Sequence, residues 1–154
     1  NTDYEDKMIF FKEKKGSCTS KHAVIAGLAQ ELEIPLYKHV CIYKLTEEIT
    51  NGINDILKQF EIPYVPMVHC FLVYENYKFD LTEGNHNGKK TPINEYIHSE
   101  RVDPFISRKD EYLLFKKVLS EKILPSKEME GIAEKILLKA RAKSINLLVN
   151  CVLG

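Results

Sequence analysis

Tryptophan is absent from the 154 residues, and the four cysteines, at positions 18, 41, 70 and 151, show no CxxC pair and no regular spacing. A structural zinc site or a disulfide scaffold needs such spacing, so neither is expected, and reduced thiols in a cytoplasm are the simplest state. An excess of charge is missing too: 22 Lys and Arg face 22 Asp and Glu. A polyanion binder carries a basic excess, so no nucleic-acid partner is expected. No apolar run approaches the roughly 20 residues of a bilayer span, and no signal-peptide pattern opens the chain, so no membrane partner is expected either. The chain begins with Asn1 where a nascent chain has Met, so the expectation is a processed or trimmed form, with removal of a leader as one route to it. What remains is 44% hydrophobic and 29% charged, which excludes disorder and fits one domain over residues 1–154.

The stretch Lys14-Lys15-Gly16-Ser17-Cys18-Thr19-Ser20-Lys21-His22 feeds the apolar run Ala23–Ala29. Gly16 permits a tight approach, Ser17, Thr19 and Ser20 can cap first-turn N–H groups, and apolar positions 24, 25, 28 and 32 recur at helical spacing. The pattern predicts a buried helix that starts near Cys18 and runs to about Glu33, where Ile34-Pro35 stops it. Cys18 then sits at a helix N-terminus, where the dipole, aided by Lys21, favours thiolate over thiol. A nucleophile is one reading of that position, and a small core residue is the other.

Residues 1–15 are polar apart from Met8-Ile9-Phe10-Phe11, a segment that could dock on the core. Tyr37–Leu45 is rich in β-branched and aromatic residues and predicts a strand with Val40 and Ile42 on one face and His39, Cys41 and Tyr43 on the other. Thr46 is placed to cap a helix whose apolar stripe is Ile49, Ile53, Ile56, Leu57 and Phe60. Pro63–Pro66 reads as a rigid connector into a strand, Met67–Tyr74, in which His69 is the polar interruption. After Glu75-Asn76 the chain resumes as Tyr77–Thr82, the return strand of a hairpin. With a two-residue turn Tyr74 faces Tyr77, Phe71 faces Asp80 and His69 faces Thr82. Asp80 then becomes a diagonal neighbour of His69 on one face, roughly 7–8 Å away between backbones, and Cys70 points to the other face.

The second half, about 92–154, reads as helical and structural. Pro92 starts a short helix through His98, Arg108–Leu124 forms a longer one, and Ser126 caps the last, with Met129, Ile132, Ala133, Ile136, Leu137 and Ala140 as its stripe. Lys135, Lys139, Arg141 and Lys143 read as a solvated face. Ile145–Leu153 is almost continuously apolar, which predicts burial, with a homodimer contact through this helix as the alternative.

Cysteine, histidine and aspartate on neighbouring elements support acyl chemistry. A thiolate attacks an acyl carbon, an imidazole protonates the leaving group, and a carboxylate fixes the imidazole's tautomer. The backbone N–H of Cys18 is one candidate oxyanion donor. His22, one turn beyond Cys18, is an alternative base without a carboxylate partner. His39, Cys41 and His69 could hold a metal ion, although two neighbours on one strand do not define a site, and no metal or cofactor is expected. His86 belongs to a polar loop and His98 to the surface.

Three blocks together, Gly16-Ser17-Cys18-Thr19-Ser20-Lys21-His22-Ala23, Val68–Tyr74 and Tyr77–Thr82, resemble the transglutaminase-like superfamily of papain-type cysteine enzymes. The resemblance covers about 14–84. It implies an α+β fold in which a cysteine-bearing helix packs on a small, mainly antiparallel sheet, with Cys18 as nucleophile, His69 as base and Asp80 as the residue that orients it. It implies hydrolysis of an amide or peptide bond, or acyl transfer, on a peptide or other amide-containing substrate. Family members commonly add a polar side chain from before the cysteine and aromatic walls to the cleft. The segment here offers Tyr4 and no Gln, so an inactive binding module that keeps the fold is the alternative.

Overall fold

The computed structural model of the protein describes residues 11–12, 16–82 and 89–153, without the side chains of 150–153. Met8–Phe10, Tyr4, His86 and the side chain of Cys151 lie outside the described residues. The fold mixes helix and strand around a four-stranded antiparallel sheet. Its strands are β1 (Leu36–Leu45), β2 (Val65–Tyr74), β3 (Tyr77–Phe79) and β4 (His98–Arg101), in the order β3-β2-β1-β4. None of the helices among the described residues is long and apolar enough to cross a membrane.

Helix α1 (Cys18–Glu31) starts where the serine-rich loop predicts it, with the Ser17 hydroxyl accepting from the N–H of Ser20. Its packing face is not the expected one. Ile25, Leu28 and Leu32 are exposed, and the buried side is made of Ser20, His22, Ala23, Ala26, Gly27 and Ala29. Small residues let a helix axis approach a sheet more closely than leucine or isoleucine would, and they bring the first turn down onto β2. A hydrophobic-period reading favours the larger side chains and therefore selects the wrong face. At the far end Glu33 adopts a left-handed φ of 55°, and the Ile34 N–H closes on the Ala29 carbonyl at 2.8 Å.

The central hairpin has the expected register but is shorter than expected: β3 ends at Phe79, so the pairings of Phe71 with Asp80 and of His69 with Thr82 are not formed. Tyr74 pairs with Tyr77, Val73 with Lys78 and Leu72 with Phe79, so the turn is the two residues Glu75-Asn76. Strand β2 starts at Val65, and Pro66, expected in a connector, pairs with Lys44 inside it. A proline is tolerated there because β3 flanks only the Leu72–Tyr74 end of β2, leaving no partner for the missing N–H.

The segment after Pro92 is a second correction. It is not helical, and His98–Arg101 forms β4, pairing His39 with Arg101 and Ile42 with His98. The open edge of β1 supplies the hydrogen bonds that a seven-residue helix would otherwise have to make alone. Helix α2 (Ile53–Phe60) likewise starts later than Thr46 suggests. The Thr46 carbonyl closes a turn with the N–H groups of Ile49 and Thr50, Gly52 turns the chain at φ 81°, and the Glu47 carboxylate accepts from Gly52 and Asn54.

Helix α3 (Arg108–Val118) continues as a π turn over Leu119–Ile123, which together fill the span expected for one helix. Ser126 caps a short 3-10 turn, Lys127–Met129, not the last helix. Gly131 then turns the chain at φ 79°, and α4 (Glu134–Leu153) begins beyond Ile132 and Ala133. Ile42, Leu45, Val65, Ile53, Phe115 and Leu137 belong to one buried cluster that joins the sheet to α2, α3 and α4.

Candidate active site

The structure brings Cys18 and His69 to the wall of one cleft, with Asp80 bonded to the His69 imidazole. His69 Nε2 lies 2.5 Å from Asp80 Oδ2, a short charge-assisted hydrogen bond. Asp80 lies one residue past β3, and its other oxygen, Oδ1, accepts from the Thr82 N–H at 2.8 Å and the Thr82 hydroxyl at 2.6 Å. Both carboxylate oxygens are therefore held, and burial notwithstanding, the bonds to His69 and Thr82 keep Asp80 ionised well below the usual carboxylate range. With Nε2 on Asp80, Nδ1 is the ring nitrogen left over for Cys18, whose charge acts on the imidazole across the cleft.

Burial of His69 works against its charge, yet hydrogen bonds to Asp80 and Cys18 outweigh it and raise its pKa to about 9. Cys18 shifts the other way. A hydrogen bond from the Cys70 thiol, opposed by burial and joined by one from His69, holds Cys18 well below the ordinary thiol range. The two shifts run in the directions that favour a thiolate beside an imidazolium. Lys89 Nζ stands 3.4 Å from His69 Nε2 and 3.7 Å from Asp80 Oδ2. The Tyr43 ring meets the imidazole edge-on at 6.3 Å.

His22 is not a base. It is fully buried; its Nδ1 lies 2.7 Å from the Cys18 carbonyl, and its Nε2 accepts the Leu81 N–H at 2.9 Å. Accepting at Nε2 puts the proton on Nδ1, so the ring is neutral, and burial lowers its pKa accordingly. The ring links the first turn of α1 to the backbone directly after Asp80, joining the element that carries the nucleophile to the one that carries the carboxylate.

The remaining histidines and cysteines do other things. Cys41 pairs with His69 across β1 and β2, is wholly buried and has its thiol pushed up to about 12 by that burial. His39 pairs with Phe71 and stacks on its ring at 5.5 Å. Among the described residues no three His, Cys, Asp or Glu side chains converge as a metal site, so the set His39, Cys41 and His69 does not assemble. His98 bridges Glu100 and Lys122 beside β4, at 2.7 and 3.1 Å.

The cleft has a volume of about 490 Å³. Cys18 and His69 line it together with Met67 and Val68 of β2, and α4 supplies a wall of Ile145, Leu148 and Val149. The apolar end of α4 thus borders the site, where the sequence suggested simple burial. Arg141 lines the same cleft and does not belong to a solvated face. Its guanidinium lies 4.6 Å over the Phe115 ring. Glu111 accepts the Thr19 hydroxyl proton at 3.1 Å, and burial together with the nearby Cys18 charge raises its pKa. Neither residue is prominent in the sequence. The available signal was Arg141 itself, a charge on the same helical stripe as Leu137, Ser144 and Leu148.

No family model, curated protein or solved structure matches the chain.

Proposed function

We propose that the protein is a cysteine-dependent acyl enzyme of the transglutaminase-like type, acting on an amide or peptide bond. One observation carries the reading: Asp80 holds one nitrogen of the His69 imidazole at 2.5 Å, and His69 lines the same cleft as the half-buried Cys18. Cys18 Sγ attacks the carbonyl carbon, and the oxyanion forms beside the backbone N–H of Cys18, one of the first-turn donors that have no intrahelical acceptor. The His69 imidazolium gives its Nδ1 proton to the leaving amine as the C–N bond breaks, leaving a thioester on Cys18. A water that loses its proton to His69 then releases the acid, and an amine in place of water gives acyl transfer. Throughout, Asp80 holds the tautomer and the charge.

The test is the pH dependence of Cys18 alkylation by iodoacetamide. Cys18 should react at pH 6 as a thiolate, and His69→Ala should cut that rate at least about tenfold and restore the profile of an ordinary thiol of pKa about 8.5. A Cys18 that titrates near 8.5 in the wild type, unaffected by His69→Ala, would leave the fold with a binding role only.

A further inference from the structure

Arg141 is a cation whose supporting charge, Glu111, lies near enough to act on it but does not form an ion pair with it. Its Nε is buried and has no hydrogen-bond partner, and among the described residues no carboxylate forms an ion pair with it. The acid nearest in the cleft, Glu111, already accepts from Thr19. The guanidinium carbon rests 4.6 Å over the buried Phe115 ring, a cation–π contact that positions the group before any ligand arrives. Burial opposes the charge and lowers the Arg141 pKa, so this placement is costly unless a bound group supplies acceptors. Lys21 lines the same cleft, and the other lining lysine, Lys89, is engaged with Asp80. The chain as a whole is neutral, so the positive character here is local.

We infer that the cleft takes an acyl substrate bearing a carboxylate, which Arg141 grips through its fork of N–H donors while the apolar wall of α4 covers the rest of the chain. A guanidinium matches the two oxygens of a carboxylate in one plane, which a lysine cannot do. The inference rests on the acyl-enzyme reading for the chemistry at Cys18, but the anion site itself does not depend on it. The carboxylate can come from an acidic side chain or from a free chain terminus.

The experiment compares alkylation of Cys18 by maleimidopropionate and by its neutral amide, at pH 8.5, where any thiol reacts. The acid-to-amide rate ratio is expected to fall on the order of tenfold in Arg141→Gln while the amide rate stays unchanged. Arg141→Lys keeps a charge over Phe115 and serves if the glutamine disturbs packing; it too should lose most of the ratio. N-acetylglutamate amide and N-acetylglutamine, tested as protectors against the neutral reagent, separate a side-chain carboxylate from a terminal one. Each is compared with N-acetylglutamine amide, and stronger protection by either acid, lost in the Arg141 variants, supports the site. A ratio that both Arg141 variants leave unchanged overturns it, even if Cys18 is an activated thiolate. An ordinary thiol at Cys18 with an Arg141-dependent ratio would instead overturn only the enzymatic reading.

Discussion

Asp80 holds Thr82 with one oxygen and His69 with the other, and that division of labour predicts what an amide would do in its place. In Asp80→Asn the side-chain oxygen stays with the two Thr82 donors and the NH₂ group faces His69 Nε2. Nε2 must then accept, which moves the imidazole proton to Nδ1 and removes the charge that stabilises the Cys18 thiolate. The pKa of His69, followed by NMR titration of its ring protons, is expected to drop from about 9 toward its ordinary 6.5, because the largest interaction opposing burial is lost. Turnover should fall on the order of 10⁴-fold. The nearness of His69 and Asp80 was legible because the two-residue turn fixes the register up to Leu72–Phe79, one residue short of Asp80, although Asp80 itself has left the strand. The role of His22 was not, because its two hydrogen bonds go to backbone groups, which carry no residue-type signal.

At the scale of elements, the reversals at the end of α1 and at the hairpin tip were read from their neighbours, Ile34-Pro35 and the paired strands, and not from the turning residues themselves. Glu33, Glu61 and Glu75 all adopt a left-handed φ, between 52° and 55°, at the end of α1, the end of α2 and the tip of the hairpin. Glutamate is not a turn residue, so none of these points announces itself as Gly or Asn would. Glu61 is the cleanest case, with φ 53° and ψ 45° and its N–H closing on the carbonyls of Leu57 and Lys58. Glu61→Gly is expected to raise stability by about 0.5–1 kcal/mol in denaturant unfolding, since glycine lacks the Cβ that makes this conformation costly. The amphipathic helices α2 and α3 were readable from their periods. The small face of α1 and the pairing of β4 were not, because both are decided by what they pack against.

For the whole molecule, folding moves a proton from sulfur to imidazole. The raised His69 pKa contributes stability that is complete below about 6.5 and is lost as the pH rises through about 9. The lowered Cys18 pKa contributes stability that is complete above about 8.5 and is lost as the pH falls through its folded value. Between about 6.5 and 8.5 the two slopes have opposite sign and cancel, so the pair yields a plateau that falls away on either side. Asp80, with its depressed pKa, adds to the acid-side loss. Unfolding midpoints at pH 5.5, 7.5 and 9.5 check this. In Cys18→Ser the acid arm should lose the sulfur's share, and stability should decline across the former plateau as His69 alone sets the slope.

Thr19, finally, gives the site a direction. Its hydroxyl has a single proton and gives it to Glu111, while its oxygen lies 3.6 Å from the Cys70 sulfur and 4.0 Å from that of Cys18. Toward both sulfurs it can only accept. Neither sulfur has a proton to give it, since Cys18 is held toward the thiolate and the Cys70 thiol already donates to Cys18, so the Thr19 proton is kept on the α3 side, away from the nucleophile. Protonating Glu111 is what would free that hydroxyl proton to turn toward Cys18, so a carboxylate on a helix the sequence marked as merely structural sets the polarity of the reacting sulfur's surroundings.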